Sequence, residues 1–261
     1  MTAKPVAIVT GGAGGIGRAI AARLAAGGAH VVAADMDEAA TAASAAAYHG
    51  EGIGLDVTSS ASVDAAVAGV MGRHGRIDIL VNCAGVHLQK LVIDMTDEDW
   101  DRVQRVNARG PFLTCRAVAR PMMRAGTGRI VNIVTRLGFG NPYSSAYVAS
   151  KSALWGFTQT LAIELAAYGV TVNAVAPGHV GPGTGMEKQF REKAAALGLT
   201  WEAFEAQVIR TIPVGRWCRP DDVAAAVAYV VSPEAAFVTG ELINVTGGFT
   251  GYGIAPPKVP V

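Results

Sequence analysis

The chain is short of charge, cysteine and uninterrupted apolar runs, and each shortage removes a class of function. Charged residues make up 16% of the 261, and the formal net charge is +1 with no local cluster of Lys and Arg. No electrostatic footprint for nucleic acid follows from such a pattern. Three cysteines, Cys83, Cys115 and Cys218, are scattered and odd in number. They read as reduced, mostly buried thiols without metal-ligand spacing, and the five histidines show none either, so no metal is expected. No apolar stretch reaches the ~18 residues of a membrane span. Met1 to Pro5 runs straight into a strand-like segment without a secretory pattern, and a cytoplasmic protein is expected. Hydrophobic residues supply 51% of the chain, enough for one large core, so disorder is excluded.

What is present begins with Val6 to Val9, a β-branched run suited to a buried parallel strand. It enters Gly11-Gly12-Ala13-Gly14-Gly15-Ile16-Gly17, and an amphipathic segment follows with Ile20, Ala21 and Leu24 on one face. Strand, glycine-rich turn and helix together make a phosphate-binding hypothesis, because glycines let the backbone approach a pyrophosphate at the positive helix end. Ala29 to Ala34 reads as a second strand, with Asp35 at its end, about 20 residues past the glycines. A carboxylate there accepts hydrogen bonds from ribose hydroxyls and repels a 2′-phosphate. No Arg or Lys stands in the glycine loop or immediately after Asp35. NAD is therefore expected over NADP; the plainer alternative makes Asp35 a cap for the following helix.

Further strands are expected at Gly52 to Val57, where Asp56 approaches an adenine, and at Ile77 to Val81. Their alternation with helical stretches predicts a parallel, doubly wound α/β sheet. Tyr147 and Lys151, four residues apart, fall on one helix face. Leu154, Phe157, Leu161 and Leu165 continue that helix as an apolar stripe. An ammonium beside a phenol favours the phenolate, so the Tyr147 pKa is expected below its ordinary value of about 10. A tyrosine so placed can work as a base.

Taken in order, these motifs resemble the short-chain dehydrogenase/reductase family in its single-domain form, from Thr10 to Gly248. Thr10-Gly11…Gly15-Ile16-Gly17 is similar to its cofactor loop, and Asn82-Cys83-Ala84-Gly85 to its Asn-Asn-Ala-Gly element with Cys83 as a departure. Val106-Asn107-Ala108-Arg109-Gly110 resembles the segment carrying its asparagine, and Pro177-Gly178 its turn beside the nicotinamide. The resemblance implies a Rossmann-type, three-layer, single domain with a substrate-covering insertion near 179–212. It also implies a C-terminal arm at 249–261 and a homotetramer. Asn107, Thr135, Tyr147 and Lys151 are the implied catalytic set, Asn107 holding a water that links Lys151 to solvent. Thr135 stands where the family usually has serine. Were the alignment to slip by one residue, Val134 would take that place, and Ser144 or Ser145 would have to supply the hydroxyl.

Cofactor contacts are implied for Gly11, Gly15, Ile16 and Gly17, for Asp35, Asp56 and Val57, and for Asn82, Ala84 and Gly85. Tyr147, Lys151, Pro177, Gly178 and Val180 complete that set. Arg136 either clamps an anionic substrate group or is structural. His87, Tyr143, His179 and Trp201 are pocket candidates by position, a lining suited to a sugar or polyol. The leading expectation is an NAD-dependent dehydrogenase of a polyol, sugar or related secondary alcohol, acting on a small molecule. The alternatives are a 3-oxoacyl thioester reductase and a catalytically silent NAD-binding sensor or scaffold.

Overall fold

A computed structural model describes residues 4–136, 143–181, 184 and 186–249. Among the described residues seven strands run in the order β3-β2-β1-β4-β5-β6-β7, each parallel to its neighbours. They are β1 (Val6–Thr10), β2 (His30–Asp35), β3 (Glu51–Gly54), β4 (Ile79–Asn82), β5 (Gly128–Ile133), β6 (Val170–Pro177) and β7 (Leu242–Val245). Interior strands such as β1, β4 and β6 are buried at every position, which is why they read as continuous apolar runs.

Alternate residues of each strand feed two cores. Val6, Ile8, Val32, Ala34, Leu80 and Ile130 face α3 (Ser60–His74), α5 (Gly110–Ala125) and α6 (Ser145–Ala166). Ala7, Val9, Val31, Val81 and Val131 face α1 (Gly15–Ala26) and α9 (Pro220–Val231). A three-layer, doubly wound arrangement results. The strand order reverses beside β1, between β2 and β4, and that opens a crevice at the carboxyl ends of the strands.

Two segments differ from expectation. The third strand stops at Gly54 instead of reaching Val57, because Asp56 turns the chain: its Oδ1 accepts from both the backbone and the hydroxyl of Thr58, each at 2.8 Å. The helix after α4 (Asp97–Gln104) passes through a π-helical turn, Arg105–Arg109, before α5. α2 (Glu38–Ala46) is capped by Asp37, whose side chain accepts from the Ala40 amide, which leaves Asp35 free of a capping role. Thr200 caps α8 (Trp201–Arg210), its side chain accepting from the Ala203 amide, and α7 (Glu187–Ala196) precedes it. Beyond Phe249, the expected C-terminal arm lies outside the described residues. Among the described residues no helix is long and apolar enough to cross a membrane, and the three cysteines are free.

Candidate active site

A cavity of 1160 Å³ fills the crevice and extends under α7 and α8. Its floor at one end is the glycine loop. Thr10 ties that loop to the β4 end, its Oγ1 accepting from the Cys83 and Ala84 amides at 3.1 Å each. Gly11 sits at φ +70°, and a Cβ there would lie 2.8 Å from the Ala84 nitrogen; one on Gly17 would lie 2.1 Å from the Gly11 oxygen. Only glycine permits this turn. The first turn of α1 has no side-chain cap and no acidic residue. Its exposed amides and dipole present a site for an anion.

The cavity is also lined by Asp35, Asp56, Val57, Ala84, Gly85, Lys151, Pro177, Gly178 and Val180. Asp35 is held by the Met36 amide at 2.8 Å and the Ala13 amide at 3.3 Å. An uncapped helix start, a carboxylate at the β2 end and a cavity longer than ordinary ligand pockets fit a dinucleotide with space left for a second molecule. Asn82 does not border the cavity. It is buried between strands, donating to Asn132 Oδ1 at 2.8 Å and accepting from the Thr114 hydroxyl at 2.6 Å. The Asn82 side chain thus ties β4 to β5.

Thr135 and Tyr147 both line the cavity, and the Thr135 hydroxyl lies near enough to the phenol to favour its ionised form. Val134 also borders the cavity but packs against Leu154 and offers no hydroxyl, which leaves that role to Thr135. Ser144 is occupied elsewhere, 3.2 Å from His87 Nε2. Burial pushes the Tyr147 phenol up to about 12, a rise that the Thr135 hydroxyl only partly offsets. Burial likewise pushes Lys151 down to about 8. The expectation of a lowered Tyr147 pKa is therefore reversed in the protein alone. Lys151 Nζ donates to the Ile133 carbonyl at 2.8 Å and stands 5.8 Å from the centre of the Tyr147 ring. Desolvation is the largest cause for both residues.

Asn107 is wholly buried in the π-turn and does not border the cavity. Its Oδ1 accepts from the Val86 amide at 2.9 Å, and its Nδ2 donates to the Val86 carbonyl at 2.8 Å and to Ser150 Oγ at 3.1 Å. A Cβ on Gly85 would meet both Asn107 Oδ1, at 3.3 Å, and Lys151 Nζ, at 3.5 Å. Asn107 thereby fixes the loop beside Lys151.

Arg136, His87 and His179 line the substrate end. Arg136 stacks its guanidinium 5.3 Å from the Phe249 ring centre. His87 packs edge-on against Tyr147 at 4.6 Å. Tyr143 and Trp201 do not line the cavity. Tyr143 is exposed at φ +66°, and Trp201 stacks on Trp217 at 6.3 Å. The sequence reading missed Met186, Phe190, Phe204 and Val208, which form an apolar and aromatic part of the cover, beside the polar Lys193, Gln207 and Thr211. Their signal was the four-residue spacing of Phe190 with Ala194 and of Phe204 with Val208.

Residues 11–250 match the family model described as enoyl-(acyl carrier protein) reductase. The chain is 42% identical over 250 residues to the short-chain reductase protein NovJ of Streptomyces niveus, covering 94% of each. It is 39% identical over 246 residues to the 3-oxoacyl-[acyl-carrier-protein] reductase FabG of Vibrio cholerae, covering 93% of this chain and 96% of that one. Among solved structures, a variant actinorhodin polyketide ketoreductase with NADPH matches at a TM-score of 0.91 and 36% identity, over 97% of this chain and 100% of that chain.

Proposed function

Because the chain belongs to the short-chain dehydrogenase/reductase family, we propose that it is a ketoreductase using a nicotinamide dinucleotide, NAD(H) in preference, on a 3-oxoacyl or polyketide-type carbonyl. The observation that carries this reading is the Thr135–Tyr147 hydroxyl pair. It stands between a dinucleotide-shaped channel and a partly apolar cover, with Tyr147 held in its protonated form. A neutral phenol is a proton donor, which suits reduction of a ketone to a secondary alcohol.

The bound dinucleotide supplies the hydride for reduction or accepts it in reverse. Tyr147 gives its phenolic proton to the carbonyl oxygen as negative charge develops there. Thr135 donates a second hydrogen bond to that oxygen and so orients the carbonyl. Lys151, as ammonium below its pKa of about 8, stabilises the phenolate left on Tyr147. Asn107 acts as a positioning residue through the Val86 loop and Ser150. Asp35 supports NAD(H), since a carboxylate at the end of the second strand accepts ribose hydroxyls and repels a 2′-phosphate.

The oxidation of neutral or anionic polyols and sugars is the competing substrate class, and the apolar part of the cover weighs against it. Purified protein is given NADH with a 3-oxoacyl thioester, and separately NAD with a panel of polyols and sugars. The expected kcat/KM for the thioester exceeds that for any polyol by about tenfold or more; turnover confined to the polyol arm would overturn the reading. A homotetramer belongs to the same proposal, supported by the exposed apolar residues Phe112 of α5 and Ile163 of α6, and sedimentation checks it.

A further inference from the structure

At the amino ends of β2 and β3, opposite the carboxyl ends that border the cavity, three side chains meet that are distant in sequence. His30 opens β2, Glu51 opens β3, and His74 closes α3. His30 shares a strand face with Val32 and Ala34, and Glu51 stands in register beside Val32. Val32, Ala34, Val63 and Val70 bury in one core layer, and His74 lies one helical turn beyond Val70. The same periodicities that build the core therefore bring the three polar groups together at its rim.

The geometry is that of a donor set. His30 Nε2 and His74 Nε2 stand 2.8 and 2.7 Å from the same oxygen, Glu51 Oε1. The two rings are 4.5 Å apart, and all three ligand atoms lie within 4.8 Å of one another. Arg73 Nε donates to the other oxygen, Glu51 Oε2, at 3.0 Å and fixes the carboxylate's orientation. His74 Nε2 is shut off from solvent, and its close approach to Glu51 is too poorly aligned for a hydrogen bond. At that distance from a carboxylate oxygen the nitrogen is the one bearing the ring N–H, and a metal ion binds there by displacing that proton.

We propose that His30, Glu51 and His74 form a binding site for a divalent transition metal of the zinc class, separate from the catalytic cavity. Two imidazoles and a carboxylate suit zinc or cobalt, whereas magnesium and calcium prefer oxygen alone. Bonds of about 2.0–2.1 Å in a tetrahedral site set ligand atoms about 3.3 Å apart, so the present contacts open by roughly half an ångström on binding. The remaining position falls to solvent, which the side chains reach at 20–29% exposure. Bound there, the ion clips edge strand β3 to β2 and α3 and stabilises the folded state by mass action.

The test uses untagged, chelator-stripped protein titrated with cobalt and then zinc near neutral pH. One equivalent of cobalt with a visible d–d absorption, displaced by zinc and unaffected by millimolar magnesium, is the expected result. Zinc should also raise the melting temperature. Glu51→Gln and His74→Asn should each weaken cobalt binding by about tenfold or more, a loss known even for outer-shell partners. His49→Asn should leave it unchanged. Circular dichroism establishes that the variants fold, and having two separate ligand substitutions keeps the test decisive if one does not. Absence of saturable binding in the unsubstituted protein, or equal binding in both ligand variants, overturns the site.

Discussion

Tyr147 and Lys151 stand one helical turn apart, yet burial drives both toward their neutral forms, the phenol up to about 12 and the ammonium down to about 8. Between pH about 8 and its ordinary 10.5, Lys151 is protonated in the unfolded chain and neutral in the folded one. The unfolded state then binds more protons, so stability gained from this residue rises with pH across that window and is lost as pH falls through about 8. Tyr147 acts in the opposite sense only above pH 10. Denaturant midpoints at pH 8 and at about pH 9.5 should therefore rise in the unsubstituted protein relative to Lys151→Met, which lacks this increment. Equal slopes would show that Lys151 is not depressed. Tyr147→Phe should retain NADH binding, measured by cofactor fluorescence, and lose kcat by about 10³-fold; near-normal turnover would remove Tyr147 as proton donor. The positions of both residues were legible from a helical spacing of four. Their ionisation was not, because it depends on how much water the sheet and the neighbouring loops exclude.

The elements around the cofactor channel were legible where local sequence decides the conformation. β1, the glycine turn and α1 follow from a β-branched run, closely spaced glycines and an apolar stripe, each a short-range signal. Gly17→Ala puts a Cβ 2.1 Å from the Gly11 oxygen, so α1 must shift away from the loop. NADH affinity should fall by about tenfold or more while α1 is displaced, a loss that fluorescence titration reads directly. At the end of β2, Asp35→Ser should move the NADP-to-NAD ratio of kcat/KM upward by about tenfold or more, since a like-charge contact is removed. An unchanged ratio would mean that another group reads the ribose. The π-turn at Arg105–Arg109 was not legible. Asn107 is drawn inward by the Val86 backbone and Ser150, partners 21 and 43 residues away in the chain. The partners of Asn82 were hidden for a related reason: its motif position was clear, but its side chain bonds to Asn132 and Thr114, 50 and 32 residues away in the chain.

At the scale of the whole molecule, the carboxyl ends of β1, β4, β5 and β6 supply one end of the cavity, and α7 and α8 return from a distant stretch of chain to cover the other. The doubly wound sheet could be read from alternating strand and helix patterns, whereas the lining of the substrate end could not. It depends on which face of α8 turns inward. Trp201 turns toward Trp217 and Arg191, leaving Phe204 and Val208 to meet the cavity. A polar, sugar-like lining was expected from His87, Tyr143, His179 and Trp201; two of the four are absent from it, and apolar side chains stand in the cover. Val208 is only partly buried, so Val208→Ala removes cavity contact with modest cost to the core. If a 3-oxoacyl chain lies against this cover, kcat/KM for the thioester should fall by about tenfold, with the loss mainly in KM. Any residual oxidation of a small polyol should change little, because such a substrate draws its binding from hydrogen bonds near Thr135 and Tyr147. Equal losses in both reactions would show that Val208 supports the fold of α8 and not the acyl chain. A thioester rate left intact would place the acyl chain along another wall.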